Sequence, residues 1–355
     1  MRSLASLKGH SFLAPIHKNH RCGHQMLCYI KIFCIRTKVF VFNFSLEIRV
    51  NTCEVITNEA EFIQKLNQAI NSFDFEITNI KDTEYEVILN GHDINVTMKK
   101  PEWKMFKSRR KYNLYEAPVV AVVDYLVQKF DLETIFDIGA GSGIHSSITA
   151  SISGFRGVVH AFEMQPAEYE KIETKRLKPE LNNRLVAHLA GMSDVHKGEI
   201  TVWYTRRKLY EENPGKRTAN DPWHQRLKFR LLGRQNTGLL RETNILITSV
   251  DEFSSSNSLA PDLLKIDVDG YEARVIAGCQ KTISKKPFIL LELHKDKFLK
   301  RFGKLRRDVV KPLFDAGYRA VLFTDHNDCS NCLIKKADIF DPSFDDQRTT
   351  MYLFY

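Results

Sequence analysis

The apolar positions over residues 116–355 fall into short blocks that alternate between two spacings. Val119, Val122, Val123, Leu126 and Val127 share one helical face, and Pro118 suits a first helical position. Thr134, Ile135, Phe136 and Ile138 follow as a compact set of apolar and β-branched side chains, the mark of a buried strand. Ile144, Ile148 and Ile152, spaced by four, then predict a helix. The succession recurs downstream. Strands are expected at 157–163, 184–189, 199–204, 244–250, 262–268, 287–294, 317–323 and 349–354, with helices at 166–177 and 295–314. Strands alternating with helices predict an α/β domain built on a mostly parallel sheet.

The texture differs upstream. Ala60, Phe62, Ile63, Leu66 and Ile70 make one helical face, and residues 73–80, 85–89 and 94–98 alternate as half-buried strands. Asn90 and Gly91 supply a hairpin turn between the last two. This pattern sets out three regions. Residues 1–54 form a basic N-terminal extension, 55–115 a small α+β accessory unit with a basic linker, and 116–355 the main domain.

Charge refines the picture. The chain carries a formal net charge of +9, which favours acidic partners such as nucleic acid, phosphorylated sugars or anionic membrane surfaces. Two segments concentrate it. One spans 99–111, with Trp103 and Phe106 interleaved; the other is a long insertion at 206–241. The insertion holds ten basic residues against Glu211, Glu212 and Asp221, and reads as a substrate-choosing loop or a solvated one. Residues 1–46 hold seven Lys or Arg and no acid, as an organellar transit peptide does; a poorly ordered extension or an over-called gene start is the stronger reading. The most apolar stretch, 27–42, is broken by Lys31, Arg36 and Lys38, so no membrane span is expected. Seven scattered cysteines read as free thiols in a reducing compartment, and a cytoplasmic location is expected.

The chemistry starts behind the strand at 134–138. Gly139, Gly141 and Gly143 arrive at every second position before the helix, making a ligand edge at the C-terminal end of a parallel sheet. A dinucleotide fingerprint wants a glycine or alanine at 144, where this chain has Ile144. Asp137, just before the glycines, would repel a pyrophosphate but suit a cationic ligand. S-adenosylmethionine (SAM), with an amine, a sulfonium and no phosphate, fits better than NAD. Glu163 closes the next strand twenty residues past Gly143, placed to accept two ribose hydroxyls. Met164 follows it, and the loop carrying Asp194 should cover the adenine; Asp194 could equally be a turn residue.

A second strand delivers Asp267 and Asp269 to the same rim, and the strand at 287–294 ends in Glu292 and His294. His294 is the first candidate for a general base and Asp267 the second; a helix-start His bonded to backbone is the plain alternative. Asp267 and Asp269 could share a hard cation, but no further ligands are evident and no metal is expected. His326 with Cys329 and Cys332 falls short of a four-ligand zinc set.

Five motifs in order resemble the FkbM-type family of SAM-dependent methyltransferases. They lie at 136–143, 161–166, 248–253, 264–272 and 289–294. The resemblance implies a Rossmann-like class I methyltransferase fold. Its sheet is mostly parallel and seven-stranded, with helices on both faces and the last strand antiparallel. It also implies O-methylation of a small-molecule or sugar hydroxyl. Carried over, Asp137, Gly139 and Gly141 belong to the SAM loop and Glu163 to the ribose; Ala140, Gly143, Met164, Asp194 and Asp267 are expected at the same cofactor site. The family usually has Asp-Val-Glu-Gly where this chain has Asp269 in place of the glutamate. Two other readings remain: an RNA methyltransferase or nucleic-acid-binding protein, suggested by the basic segments, and an NAD-dependent oxidoreductase, disfavoured by Asp137 and Ile144.

Overall fold

The structure, a computed structural model, describes residues 26–35, 38–47, 56–81, 84–89, 98–99, 116–181, 183–205, 208–212, 240–345 and 348–355. The chain divides into two units, 1–55 and 56–355. In the first, β1 (Met26–Ile35) and β2 (Lys38–Glu47) pair antiparallel, from Met26 opposite Glu47 to Ile35 opposite Lys38.

The second unit begins with α1 (Glu59–Asn71), started by Asn58, whose side chain accepts from the Glu61 backbone N–H. Strands β3 (Phe75–Lys81), β4 (Glu84–Leu89) and β5 (Met98–Lys99) form a small antiparallel sheet. The turn expected at Asn90 and Gly91 lies outside the described residues, as do the basic strip at 100–111 and most of the insertion at 206–241. Helix α1 is packed onto the main domain rather than standing apart from it. Phe62 packs on Tyr125, Phe130 and Tyr355, and Asn67 exchanges two hydrogen bonds with the Ile334 backbone.

The rest alternates as the periodicity predicts. Helix α2 (Ala117–Phe130) is apolar almost all round and buries nine residues. There follow β6 (Thr134–Ile138), α3 (Ile144–Ser151), β7 (Val158–Glu163), α4 (Pro166–Arg176), β8 (Leu185–Met192), β9 (Gly198–Thr205), β10 (Lys208–Tyr210) and β11 (Arg241–Thr248). Then come α5 (Val250–Ser256), β12 (Leu263–Ile266), α6 (Glu272–Ala277), α7 (Gln280–Ser284) and β13 (Phe288–Leu293). The chain closes with α8 (Asp296–Leu299), α9 (Arg306–Asp315), β14 (Ala320–Phe323), β15 (Ile334–Ala337) and β16 (Thr350–Phe354).

The main sheet has eleven strands in the order β10-β9-β11-β8-β7-β6-β12-β13-β16-β14-β15. Its kernel, β8-β7-β6-β12-β13-β16-β14, is the class I methyltransferase arrangement, with β16 antiparallel between β13 and β14. The expected count of seven strands is corrected to eleven, because β11, β9 and β10 extend one edge and β15 the other. Strands β12 and β13 are buried along their whole length, as parallel strands covered on both faces must be. The helix expected across 295–314 is two, α8 and α9. Gly303 breaks it at φ 67°, in the left-handed region.

Candidate active site

Strand order reverses between β6 and β12, so their C-terminal ends open a crevice at a topological switch point. The chain leaves β6 through Gly139, Gly141 and Gly143, at φ 81°, 55° and 77°. Two of the three have a packing reason as well. A Cβ on Gly139 would stand 1.8 Å from the Asp267 carbonyl oxygen, and one on Gly143 would stand 2.9 Å from Ile172. Gly141 is different, since a Cβ there would meet nothing within 4 Å. The loop is thus pinned at both ends and bare in the middle.

Hydrogen bonds fix it to the next strand. The Gly139 and Ala140 N–H groups donate to the Phe162 carbonyl at 2.9 and 3.0 Å. Glu163 accepts from the Gly141 N–H at 2.8 Å through one oxygen and from the Gln165 N–H at 2.6 Å through the other. Each oxygen keeps a further lone pair for a ligand hydroxyl. Burial pushes the Glu163 carboxyl up to about 7, although both backbone bonds pull the other way. Met164, beside it, is exposed and packs near Gly191 of β8.

Asp137 is buried and already paired. It accepts from Ser146 Oγ at 2.6 Å and lies 3.3 Å from Lys265 Nζ. The two residues are register partners on adjacent strands, so the ion pair is set by the β6–β12 ladder. Lys265 is also 3.7 Å from Asp267; burial alone would lower its pKa, but Asp137 and Asp267 raise it, so it stays charged. Asp137 is thereby tied to α3 and to β12, the elements on either side of the glycine loop.

Asp267 stands just past β12, its N–H on the Ile138 carbonyl at 3.0 Å and its side chain part-exposed. Glu292 of β13 points at it. Burial, Asp267 and Glu116 push the Glu292 carboxyl up to about 10. His294 lies beyond, with Nδ1 2.5 Å from Glu272 Oε1 and Nε2 3.2 Å from Asp269 Oδ1. Burial opposes its charge, but Asp269 and Glu272 win and raise it to about 11. Both ring nitrogens are engaged, so the imidazolium offers no lone pair to a substrate proton. Asp194 forms a 2.6 Å pair with Arg274 and accepts from Ser193; those bonds hold its carboxyl below the usual range although burial works against them.

Several residues in this cluster carry no sequence signal of their own. Glu116, at the N-terminus of α2 with φ 50°, is fully buried and 2.8 Å from His145 of α3. Burial works to raise its pKa, yet His145, Lys265 and His326 hold it down at about 2. Glu272, buried, accepts from the Gly270 N–H as well as facing His294. Arg306, buried in α9, donates to the carbonyls of Leu293, His294 and Arg348 and so fixes the end of β13.

The chain matches the FkbM methyltransferase domain over residues 137–320, just over half its length. It belongs to the FkbM methyltransferase family. Its cofactor is SAM, and the cradle fits: bare at Gly141, with a ribose-type acceptor in Glu163. No curated protein matches the chain. Among solved structures it is similar to an FkbM methyltransferase from Methylobacillus flagellatus, at 14% identity and a TM-score of 0.38, covering 72% of this chain and 58% of that one. A SAM-dependent O-methyltransferase from Thermotoga maritima matches at 10% identity and a TM-score of 0.33, covering 79% of this chain and 76% of that one. Aeropyrum pernix fibrillarin, with natively bound SAM, matches at 12% identity and a TM-score of 0.31, covering 79% of this chain and 98% of that one. At such scores the fold assignment rests on strand order and the family match.

Proposed function

We propose that the protein methylates a hydroxyl oxygen on a small molecule or sugar of anionic character, with Asp267 receiving the hydroxyl proton. SAM bound in the cradle supplies an electrophilic methyl group for in-line displacement, so the protein's task is positioning and proton removal. The carrying observation is the Asp267 carboxylate at the switch point, beside the glycine cradle and part-exposed to the crevice. Lys265 at 3.7 Å stabilises its charge. His294, bound at both nitrogens, serves as a positioning residue: with Glu272 it ties the Gly270 turn to the end of β13. The basic insertion at 206–241 supports an anionic acceptor.

The test is steady-state transfer of labelled methyl to a panel of hydroxylated acceptors. Asp267→Asn should lower kcat by about 10²–10⁴-fold, the range for removing a general base, and leave SAM affinity within about threefold. Equal turnover by Asp267→Asn and the parent removes Asp267 from the mechanism. Methylation of RNA is a second reading, favoured by the basic segments; steeply salt-dependent RNA binding with no transfer to small hydroxyls would select it.

A further inference from the structure

Beside the crevice, on the side away from Glu163, two carboxylates and an imidazole from distant parts of the chain converge. Glu116 precedes α2, Glu292 lies on β13, and His326 follows β14. One ligand atom from each lies within 4.8 Å of the others. A mutual approach of that size is close to a coordination shell, because ligands on bonds of about 2.1 Å stand roughly 3–4.2 Å apart.

The partners of these groups leave a gap between them. Glu116 spends one oxygen on His145, while Oε1 is buried, in a residue only 1% exposed, without a hydrogen-bond partner among the described residues. An orphaned carboxylate oxygen in the interior is costly unless something positive completes it. Lys265 already faces Asp137 and Asp267. His326 Nε2 faces Glu292 Oε1 at 3.7 Å, too far for a hydrogen bond and suited to an ion between them. A second trio, Asp267, Glu292 and His294, shares Glu292 but is one ligand short, because Asp269 and Glu272 occupy both nitrogens of His294.

We infer that Glu116, Glu292 and His326 bind one divalent cation. Two carboxylates and one imidazole suit Mn²⁺ or Zn²⁺ better than Ca²⁺, which takes six or more oxygens, or copper(I), which takes thiolates. His326 is the least buried of the three. The site goes beyond methyl transfer: it is a metal site in a family member whose sequence pattern implied none.

The experiment titrates Mn²⁺ into the metal-free full-length protein, read by electron paramagnetic resonance and calorimetry. The expected result is one saturable Mn²⁺ per chain. Binding should weaken by about tenfold or more in His326→Ala and in Glu116→Gln. Each variant is also titrated with SAM to show that it is folded. His326→Ala is the milder change, since His326 is the most exposed member, so it stands if Glu116→Gln fails to fold. No saturable Mn²⁺ in the parent overturns the assignment. So does binding of parental strength in a folded His326→Ala protein.

Discussion

Gly139→Ala offers a sharp check on how the cradle is built. The residue sits at φ 81°, and a Cβ there would lie 1.8 Å from the Asp267 carbonyl oxygen, 2.8 Å from its carbon and 3.0 Å from Val268 Cγ1. Backbone atoms cannot swing aside as a side-chain tip does. Relieving the overlap means moving the ends of β6 and β12 apart by more than about 1 Å, to ordinary contact distance. That strains the bond from the Asp267 N–H to the Ile138 carbonyl and the bonds from Gly139 and Ala140 to Phe162. The left-handed conformation costs alanine about 1–2 kcal/mol, and the three weakened hydrogen bonds together about 2 kcal/mol. The total is about 3–4 kcal/mol, or a fall of roughly 6–15 °C in melting temperature for a domain of this size. Gly141→Ala is the internal comparison, because its Cβ meets nothing within 4 Å. It should melt within about 2–8 °C of the parent, bearing only the conformational cost, but lose SAM binding because the methyl group stands in the cradle. Thermal melts with and without SAM read both effects. A Gly139→Ala protein that melts with the parent and binds SAM normally would refute the packing described.

Titrating groups give two further outcomes. Glu163 is pushed up to about 7, and ribose hydroxyls are better accepted by the carboxylate than by the acid, so SAM affinity should rise several-fold between pH 6 and 8. A flat calorimetric profile over that range would separate Glu163 from the ribose. Separately, His160 and His188 form a partly buried pair, Nδ1 to Nε2 at 3.0 Å, and burial lowers both to about 4. Their unfolded values lie near 6.5, so the unfolded chain binds more protons and stability is lost as pH falls from about 6.5 to 4. Discounted for partial exposure, the pair accounts for about 3 kcal/mol, and His160→Phe with His188→Leu should flatten denaturant midpoints across that window.

The glycine loop, the strand rhythm and the acidic ends of β7 and β12 are legible in the sequence because each is a local pattern of a few residues. Asp267 is visible for the same reason, one step past a strand that is apolar but for Lys265. What escapes is non-local. Lys265 looks like a stray charge in β12 until the β6 ladder sets it opposite Asp137. Glu116, His145, Glu292 and His326 come from four elements, and no spacing in the chain announces their meeting. The place of His294 at the crevice rim is legible, but its charge is not, because Glu272 and Asp269 reach it from the other side of a turn. Helix α1 looks like part of a separate unit because its apolar face is complete in itself. Its partners, Tyr125, Phe130 and Tyr355, lie far along the sequence.

The central claim is that the cradle of β6 and β7 holds SAM through Glu163. Calorimetric titration of SAM into the parent and into Glu163→Ala tests it most directly. The account predicts one SAM per chain in the parent and a loss of about tenfold or more in the variant, as expected when two hydroxyls lose a buried acceptor. Equal affinity in the two proteins, or no binding by the folded parent, would contradict it.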